Sequence, residues 1–217
     1  MVDFIQPNSS YLPARRGFTQ KTYFATKRVC DILFSVLVTV FILSWLIPLI
    51  GLLIRLESRG PILFIQMRTG QNNMAFPCLK FRTMKYNKNA HFEQARRQDP
   101  RVTRIGAFLR KTNLDELPQF LNVLVGQMSV VGPRPHAVQH DAQFQHIIPN
   151  YIQRYSAKPG ITGLSQARGL RGETGLQEME HRLRLDLWYI QKQTPWLDIK
   201  ICWWTVERML KGDEKAC

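Results

Sequence analysis

An unbroken apolar run over residues 32–54 constrains the fold of this chain more than any other feature. Its 23 residues carry no charged side chain, and about 20 apolar residues are enough for a helix to cross the hydrocarbon core of a bilayer. Pro48 lies inside the run, where its missing N–H predicts a kinked or broken helix. We expect the Ser44 hydroxyl to bond a carbonyl freed by that break. The run therefore predicts a membrane-inserted helix and argues against a buried helix of a soluble core.

Basic residues flank both ends of this run, with Lys27 and Arg28 before it and Arg55 and Arg59 after it. Because Lys and Arg are enriched in cytoplasmic flanks, the positive-inside rule favours neither orientation of a simple span. A hairpin that enters and leaves through the cytoplasmic face satisfies both flanks. An ordinary transmembrane anchor is the alternative.

The charge balance narrows the range of partners. The chain has 30 Lys and Arg against 16 Asp and Glu, a formal net charge of +14. Such an excess suits nucleic acid, anionic lipid head groups or a phosphorylated substrate. No known nucleic-acid-binding motif is present, so we expect no nucleic acid partner. The four cysteines show neither CxxC pairing nor metal-ligand spacing, which indicates reduced thiols on the cytoplasmic side.

Two strand-like segments after the apolar run predict a β-hairpin over residues 61–83. Lys80 and Arg82 are two apart in the second strand, so we expect them to share one face. Two cations on one face suit a diphosphate, although a solvated outer face explains them equally well.

Asp115 and Glu116 are adjacent acids directly after a pair of basic residues. Thr112 and Asp115 fit a capping box, which predicts that both acids lie at the start of a helix over residues 117–128. Neighbours on a helix point about 100° apart, so one acid could attack a substrate while the other holds a metal. Complementing the helix dipole is the simpler alternative.

A Gly-Pro-Arg-Pro sequence ends the apolar segment after the acids. Pro133 and Pro135 bracket Arg134 and fix the backbone around it, which is a way to aim a guanidinium at a nucleotide. His136 directly follows and could approach substrate. Three arginines surround a turn predicted over residues 158–163 and could face either phosphate or solvent: Arg154, Arg168 and Arg171.

Two charged or amphipathic helices are predicted at the end of the chain, over residues 176–193 and 196–210. The second contains three tryptophans with Lys200 and Arg208 as neighbours. Tryptophan beside basic residues is typical of a helix at a membrane–water interface. A soluble core helix is the alternative.

The stretch LRKTNLDELPQFLNVLVGQMSVVGPRP closely resembles the core signature of the bacterial sugar transferases, the monotopic phosphoglycosyl transferases. KFRTM and PGITG also match motifs of this family, and the resemblance covers residues 27–198. It implies transfer of a sugar-1-phosphate from a UDP-sugar to polyprenyl (undecaprenyl) phosphate, with release of UMP. The segments ARGLRGET and DLWYI look most like members that begin exopolysaccharide or capsule chains with glucose or galactose.

The patterns and the resemblance together predict a mainly helical α+β fold with a re-entrant membrane helix, a small β-hairpin and amphipathic interfacial helices. We expect a flexible leader over residues 1–26, the re-entrant helix over 27–56, and a catalytic domain over 57–217 that ends in the interfacial helix. The resemblance implies the bacterial inner membrane, with the catalytic domain on its cytoplasmic face.

In this interpretation Asp115 is a nucleophile that forms a covalent phospho-sugar intermediate. Glu116 holds Mg²⁺, with Mn²⁺ as a substitute, against the diphosphate. Arg110 and Lys111 offset the repulsion between reacting anions. Candidate substrate-binding residues are Lys27, Arg28, Lys80, Arg82, Pro133, Arg134, Pro135 and Arg168. The expected partners are a UDP-sugar, polyprenyl phosphate and membrane lipids, and a homodimer is left open.

Two other functions remain open at this stage. A membrane-tethered polyanion-binding protein without catalysis would fit the charge but leaves the paired acids and the Pro-Arg-Pro unexplained. A glycosyltransferase that releases UDP would fit the same substrate, and the nucleotide product separates it from a UMP-releasing enzyme.

Overall fold

The computed structural model describes residues 18–87, 99–170 and 175–211. Most of the predicted leader, and Arg171, lie outside these ranges. Residues 18–26, which we assigned to the leader, are helical. Helices predominate and the strands form two small two-stranded sheets, which confirms the predicted α+β class.

The apolar run lies in a helix that continues past its proline. Helix α1, Phe18–Val38, passes through a π-helical turn, Thr39–Leu43, into α2, Ser44–Glu57. The predicted break at Pro48 is wrong, because Pro48 lies inside α2. The irregularity is the π turn, and π turns are a known cause of helix bending.

Two side chains supply donors to carbonyls of this π turn. Ser44 Oγ donates to Val40 O at 2.6 Å, and Trp45 Nε1 donates to Phe41 O at 2.8 Å. The expectation that Ser44 bonds a backbone carbonyl is therefore confirmed, although that carbonyl belongs to the π turn. Such donors matter because a polar backbone group left unpaired in hydrocarbon costs several kcal/mol.

The described helix from Lys21 to Glu57 is long and apolar enough to cross a membrane by length and composition. Only 28% of its most apolar window is buried inside the protein. A large exposed apolar surface of this kind marks contact with lipid or another protein. The exposed apolar side chains are Val29, Ile32, Leu33, Phe34, Val36, Leu37, Val40, Phe41, Ile42, Trp45, Leu49, Leu52, Leu53 and Leu56.

The predicted β-hairpin is confirmed. Strand β1, Leu63–Thr69, pairs antiparallel with β2, Ala75–Phe81. A second small sheet pairs β3, Ser129–Val131, in parallel with β4, Gly160–Thr162. Strand β3 leads directly into the Gly-Pro-Arg-Pro motif, whereas β4 lies inside PGITG, so the turn predicted over residues 158–163 is in part a strand. The pairing of the two strands places the two motifs side by side.

Six further helices complete the described fold. Three short 3₁₀ turns separate some of the helices and strands: Gln71–Asn73, Leu114–Glu116 and Tyr151–Ser156. The helices are α3, Arg104–Lys111; α4, Gln119–Leu124; α5, Val138–Phe144; α6, Leu164–Ala167; α7, Leu176–Lys192; and α8, Pro195–Lys211.

The membrane helix packs against the rest of the protein along its length. Near its end, Ile54 of α2 packs with Phe81 of β2 and Leu109 of α3. At the middle, Val38 packs with Phe120 of α4. Each buried side chain of this size contributes about 1.5–3 kcal/mol, so these contacts fix the hairpin and α3 against the helix.

Polar contacts hold both ends of this helix to the same globular body. At its beginning, Lys27 Nζ binds Asp198 Oδ2 of α8 at 2.7 Å. At its end, the Glu57 carboxylate accepts hydrogen bonds from the N–H groups of Arg104 at 2.6 Å and Ile105 at 2.9 Å. The two ends of the apolar helix are therefore tied to one folded unit.

Candidate active site

An ion-pair cluster centred on Glu116 forms where three separate segments meet. Lys80 Nζ, from β2, donates to Glu116 Oε1 at 2.7 Å. Arg134 donates through Nη2 to Oε1 at 2.6 Å and through Nη1 to Oε2 at 3.1 Å. This two-pronged geometry is the stronger form of an ion pair, because it fixes orientation as well as distance. Two of the predicted substrate-binding cations therefore lie beside the predicted acids.

The Pro-Arg-Pro turn is held by its carbonyl groups. Proline has no N–H to donate, so Pro133 and Pro135 can form backbone hydrogen bonds only as acceptors. Three successive carbonyls accept hydrogen bonds from separate segments: Pro133 O from Gly160 N at 2.9 Å, Arg134 O from Arg154 Nη2 at 2.6 Å, and Pro135 O from Arg68 Nη1 at 2.6 Å. Both prolines are buried, which supports their predicted role as a rigid bracket for Arg134.

The predicted capping box at Thr112 is wrong. Thr112 ends α3, and its Oγ1 donates back to Phe108 O at 2.9 Å. Asn113 then adopts a left-handed conformation with φ of 57°, which asparagine tolerates better than most residues. Asp115 and Glu116 lie in the 3₁₀ turn that follows, so side-chain cations rather than a long helix provide their electrostatic environment.

Asp115 differs from its neighbour in that it accepts no hydrogen bond from the residues that the structure describes. Burial raises the pKa of its carboxyl, and the charge of Glu116 raises it further. Lys80, Arg110 and Arg134 oppose that shift. The result is a carboxylate surrounded by cations with its lone pairs uncommitted, an arrangement suited to attack on an electrophile or to binding a cation.

The pKa of Glu116 shifts in the opposite direction from that of Asp115. Burial alone would raise its pKa, but Arg134 and Lys80 together hold it well below the usual range. Burial also lowers the pKa of the Lys80 ammonium, although Glu116 opposes this change. Glu116 is therefore an anion under all ordinary conditions.

The residues present fit a Mg²⁺ ion that is shared with a substrate. Oε1 of Glu116 accepts two hydrogen bonds, whereas Oε2 accepts one and keeps a lone pair. With Asp115, the site offers two carboxylates, the number that Mg²⁺ uses together with substrate phosphates. Within the described ranges no group of three or more His, Cys, Asp or Glu could form a complete protein cage, so phosphate oxygens would have to complete the coordination.

The predicted cations of α3 have different positions. Arg110 donates from Nε to Thr83 Oγ1 at 2.9 Å, and its charge acts on Asp115. Lys111 is exposed in the last turn of the helix. Arg110 therefore belongs to the site, and the role of Lys111 stays a prediction.

Lys80 and Arg82, which we expected to share one face of the second strand, bind different groups. Strand β2 ends at Phe81, so the alternation of strand side chains stops before Arg82. Its buried guanidinium donates to Arg59 O at 2.5 Å and Ser58 O at 2.7 Å, beyond the end of α2. These contacts give Arg82 a structural role at the end of the membrane helix.

Three other predicted substrate-binding residues lie elsewhere. Lys27 pairs with Asp198, as described above, and Arg28 donates to Val123 O at 2.6 Å and Leu124 O at 3.0 Å. Arg168 is exposed, and its guanidinium carbon lies 4.6 Å from the ring centre of Trp204. None of these contacts is with Asp115 or Glu116.

A buried network behind the Pro-Arg-Pro turn was largely missed by sequence reasoning. Arg154 donates to Asp186 Oδ2 at 3.0 Å and to Tyr151 Oη at 2.9 Å, and the same hydroxyl donates to Asp141 Oδ1 at 2.6 Å. His136 lies in this network, where burial and the charge of Arg154 hold its pKa well below the usual range. His136 is therefore a buried residue held in its neutral form, and its observed partner Tyr151 belongs to this network.

Only long-range contacts reveal these roles. We had considered Arg154 as a phosphate ligand, yet its side chain is 3% exposed and supports the carbonyl of Arg134. Arg68, which holds Pro135 O, carries no local signal in the sequence that separates it from other strand arginines.

The sequence matches the family model described as bacterial sugar transferase over residues 22–212. It is 48% identical over 182 residues to the UDP-glucose:undecaprenyl-phosphate glucose-1-phosphate transferase of Escherichia coli (strain K12), covering 83% of this chain and 39% of that protein. The protein of the same name from Caulobacter vibrioides is 48% identical over 189 residues, covering 86% of this chain and 70% of that protein.

A relative with another sugar is also similar. The UDP-N-acetylgalactosamine-undecaprenyl-phosphate N-acetylgalactosaminephosphotransferase of Aeromonas hydrophila is 40% identical over 192 residues, covering 88% of this chain and 45% of that protein. The chain thus spans less than half the length of the E. coli and Aeromonas relatives.

Proposed function

This chain belongs to the bacterial sugar transferase family, and from that premise we propose that it transfers a hexose-1-phosphate from a UDP-sugar to undecaprenyl phosphate, with release of UMP. The observation that carries the proposal is the position of Asp115. Its carboxylate, which accepts no hydrogen bond from described residues, lies beside Glu116 and within the fields of Lys80, Arg110 and Arg134.

In the first step an oxygen of Asp115 attacks the β-phosphorus of the UDP-sugar. A bond forms between that oxygen and phosphorus, and the bond from phosphorus to the oxygen bridging the two phosphates breaks. UMP leaves with the electron pair, and the enzyme keeps the hexose phosphate as an acyl phosphate on Asp115. Carboxylates are established nucleophiles in this kind of chemistry.

In the second step a phosphate oxygen of undecaprenyl phosphate attacks the same phosphorus. The bond to Asp115 breaks, its carboxylate is regenerated, and the lipid diphosphate-linked sugar departs. Two steps also solve a spatial problem, because the soluble nucleotide and the membrane lipid need not occupy the site at the same time.

The cations around Asp115 explain how one anion can approach another. Lys80 and Arg134 are fixed by Glu116, and Arg110 is fixed by Thr83, so their charges are in place before substrate arrives. Preorganised charge of this kind is usually the largest contribution to phosphoryl transfer. Arg134, on its rigid turn, would contact the nucleotide diphosphate.

A Mg²⁺ ion would be held by Glu116 Oε2 together with the substrate phosphates. When bound, it would neutralise charge on the diphosphate and so favour departure of UMP. Arg134 and Lys80 compete for the same carboxylate, which is a reason to expect that the ion binds with the substrate rather than before it.

We also propose that the membrane helix enters and leaves through the cytoplasmic face. The support is that Lys27 near its start and Glu57 at its end both bind the same globular body. A straight span would place these two polar attachments on opposite sides of the bilayer. The bacterial inner membrane is the proposed location, because undecaprenyl phosphate is the substrate named for the relatives.

Helix α8 would lie in the membrane interface. Its exposed apolar residues each lie three or four positions from another, which places them on one helix face. They are Trp196, Ile199, Trp203, Val206, Met209 and Leu210. The ion pair between Lys27 and Asp198 joins this helix to the start of the membrane helix, so both would meet the head-group region together.

The test is to incubate purified protein with a panel of UDP-sugars, undecaprenyl phosphate and Mg²⁺, and to identify the nucleotide. UDP-glucose is the first candidate, because it is named for relatives at 48% identity, and UDP-galactose and UDP-N-acetylgalactosamine complete the panel. Release of UMP supports the proposal. Release of UDP would identify a glycosyltransferase, and no release with any sugar would leave the polyanion-binding alternative.

A further inference from the structure

A cleft of about 220 Å³ lies beside the beginning of the membrane helix, and its lining includes neither of the paired acids. The polar side chains that line it include Arg28, Asp31, Ser129 and Lys158. Lys27 lines it as well, but its ammonium is paired with Asp198. Lys27 and Arg28 are both predicted substrate ligands, and the observed contacts of neither are with Asp115 or Glu116.

The charged groups of Arg28 and Lys158 both lie close to one glycine, Gly126. A methyl group placed on Gly126 would lie 3.5 Å from Arg28 Nη2 and 3.9 Å from Lys158 Nζ. Gly126 has φ of 89°, a conformation that side-chain-bearing residues rarely adopt. Both cations therefore lie beside the backbone of Gly126, where no side chain comes between them.

Among the residues that the structure describes, no carboxylate lies at hydrogen-bonding distance from either cation. Arg28 donates to the uncharged carbonyls of Val123 and Leu124. Lys158 makes no hydrogen bond or ion pair with any residue that the structure describes. Asp31 is a nearby acid, but its two oxygens accept from Ser129 Oγ and Val130 N. An anion bound between Arg28 and Lys158 would offset their mutual repulsion.

The electrostatics of Lys158 agree with this geometry. Partial burial lowers its pKa, the charge of Arg28 lowers it further, and Asp31 only opposes these effects. A group in this situation gains from a bound anion more than a solvated lysine does, because the ligand replaces lost hydration as well as supplying charge.

Exposed apolar residues lie close in sequence to both sides of this cation pair. Ile32 and Val36 follow Arg28 at intervals of four residues, so they continue the same helix face, and both are exposed. Val125, next to Gly126, is 70% exposed. Such a site suits a ligand with an anionic head and a hydrocarbon chain better than a fully soluble anion.

We propose that this cleft binds the phosphate of a membrane lipid, with Arg28 and Lys158 on the phosphate oxygens and the hydrocarbon chain along Ile32 and Val36. Undecaprenyl phosphate and an anionic phospholipid carry the same chemistry. If the ligand is undecaprenyl phosphate, the cleft is a docking position for the acceptor, and this assignment rests on the proposed function. If the ligand is an anionic phospholipid, the cleft is a structural lipid site, which does not depend on the proposed function.

The test uses the full chain in detergent and native mass spectrometry. Three probes are titrated separately: a short-chain polyprenyl phosphate, phosphatidylglycerol and phosphatidylcholine. Lys158→Gln should weaken binding of the anionic probe that occupies the cleft by about fivefold, the effect of one lysine at a lipid surface. Lys158→Arg should retain binding. The matched control is Lys192→Gln, the same charge change at an exposed residue of α7, and should behave as the wild type.

The outcomes separate the two sources. A selective loss for polyprenyl phosphate assigns the cleft to the acceptor, and a selective loss for phosphatidylglycerol assigns it to a structural lipid. Equal binding of both anionic probes by Lys158→Gln and wild type overturns the proposal. UMP release from UDP-sugar is measured on the same wild-type protein without lipid, so failure of the proposed reaction is distinguished from failure of the lipid site.

Discussion

Arg134 binds Glu116 through two hydrogen bonds, Nη2 to Oε1 at 2.6 Å and Nη1 to Oε2 at 3.1 Å. The two residues are 18 positions apart, and a turn fixed at three consecutive carbonyls delivers the guanidinium. The same carboxylate also holds Lys80. Glu116 thus acts as the fixed point that sets the positions of two cations around Asp115.

Arg134→Ala should raise the KM for the UDP-sugar by about 10- to 100-fold, the value of a lost charge-assisted hydrogen bond, with a much smaller effect on the KM for undecaprenyl phosphate. Arg134→Lys keeps the charge but loses the two-pronged geometry. Its KM for the UDP-sugar should therefore lie between the values of the wild type and Arg134→Ala. Steady-state kinetics with each substrate varied in turn provide the measurement. Equal effects on both KM values would show that the turn is only structural.

Asp115→Asn should abolish UMP release, because the amide keeps the shape but lacks the attacking anion. Wild-type protein given UDP-sugar without lipid should gain the mass of one hexose phosphate on the peptide that contains Asp115, and the variant should not. Intact-protein and peptide mass spectrometry make this comparison. An unmodified wild type with kinetics that require both substrates at once would exclude the two-step mechanism.

The same variant should be more stable than wild type at neutral pH. Burial, with help from Glu116, raises the pKa of Asp115 in the folded protein above its value in the unfolded chain. Ionisation therefore costs folding free energy, and this cost grows as the pH rises from the unfolded pKa to the folded pKa and is complete above it. Asp115→Asn removes this cost, and its advantage in Tm should shrink as the pH falls from the folded pKa to the unfolded pKa. Thermal unfolding over a pH series measures this. A lower Tm for the variant at neutral pH would contradict the assigned direction.

Removal of divalent metal should abolish UMP release, and Mg²⁺ or Mn²⁺ should restore it. Glu116→Gln should also be inactive, mainly through loss of the metal, and higher Mg²⁺ should not rescue it fully. The substitution also removes the carboxylate that Lys80 and Arg134 bind, so Tm must be measured as well as activity. Normal turnover by EDTA-treated enzyme would contradict the metal-binding role of Glu116, and its remaining role would be to position Lys80 and Arg134.

Asp186→Asn should weaken use of the UDP-sugar indirectly, through the position of Arg134. Asp186 holds Arg154, which in turn holds the carbonyl of Arg134. Losing one charge of a buried pair costs about 3–5 kcal/mol when nothing replaces it, and the amide should limit this because it still accepts a hydrogen bond. The KM for UDP-sugar should rise more than kcat falls. Glu178→Gln, at an exposed position of α7, is the control and should leave both constants unchanged.

The re-entrant helix can be tested by labelling single cysteines at Thr26 and Arg59, both exposed. Arg59 is chosen rather than the next residue, Gly60, because Gly60 has φ of 128° and a side chain there would collide with Arg82. In a background without the native cysteines, both sites should react with an impermeant maleimide only from the cytoplasmic side. Reaction of either site from the far side would establish a simple span.

Much of the fold follows from local patterns. The apolar run predicted a membrane-inserted helix because its length and lack of charge are properties of consecutive residues. The hairpin over residues 61–83 followed from short apolar strands and a turn. The position of the irregularity in the membrane helix did not follow, because Pro48 is tolerated inside α2 and the π turn lies before it.

The sequence by itself determined which groups are available: adjacent acids, a cation bracketed by prolines, and a long apolar helix. Tertiary structure alone decided which charges meet. Lys80 reaches Glu116 while Arg82 turns to the end of α2, and Arg154 serves the backbone of Arg134 rather than a phosphate. The physical reason is that local periodicity fixes the face on which a side chain lies, whereas its partner is set by packing between segments distant in sequence.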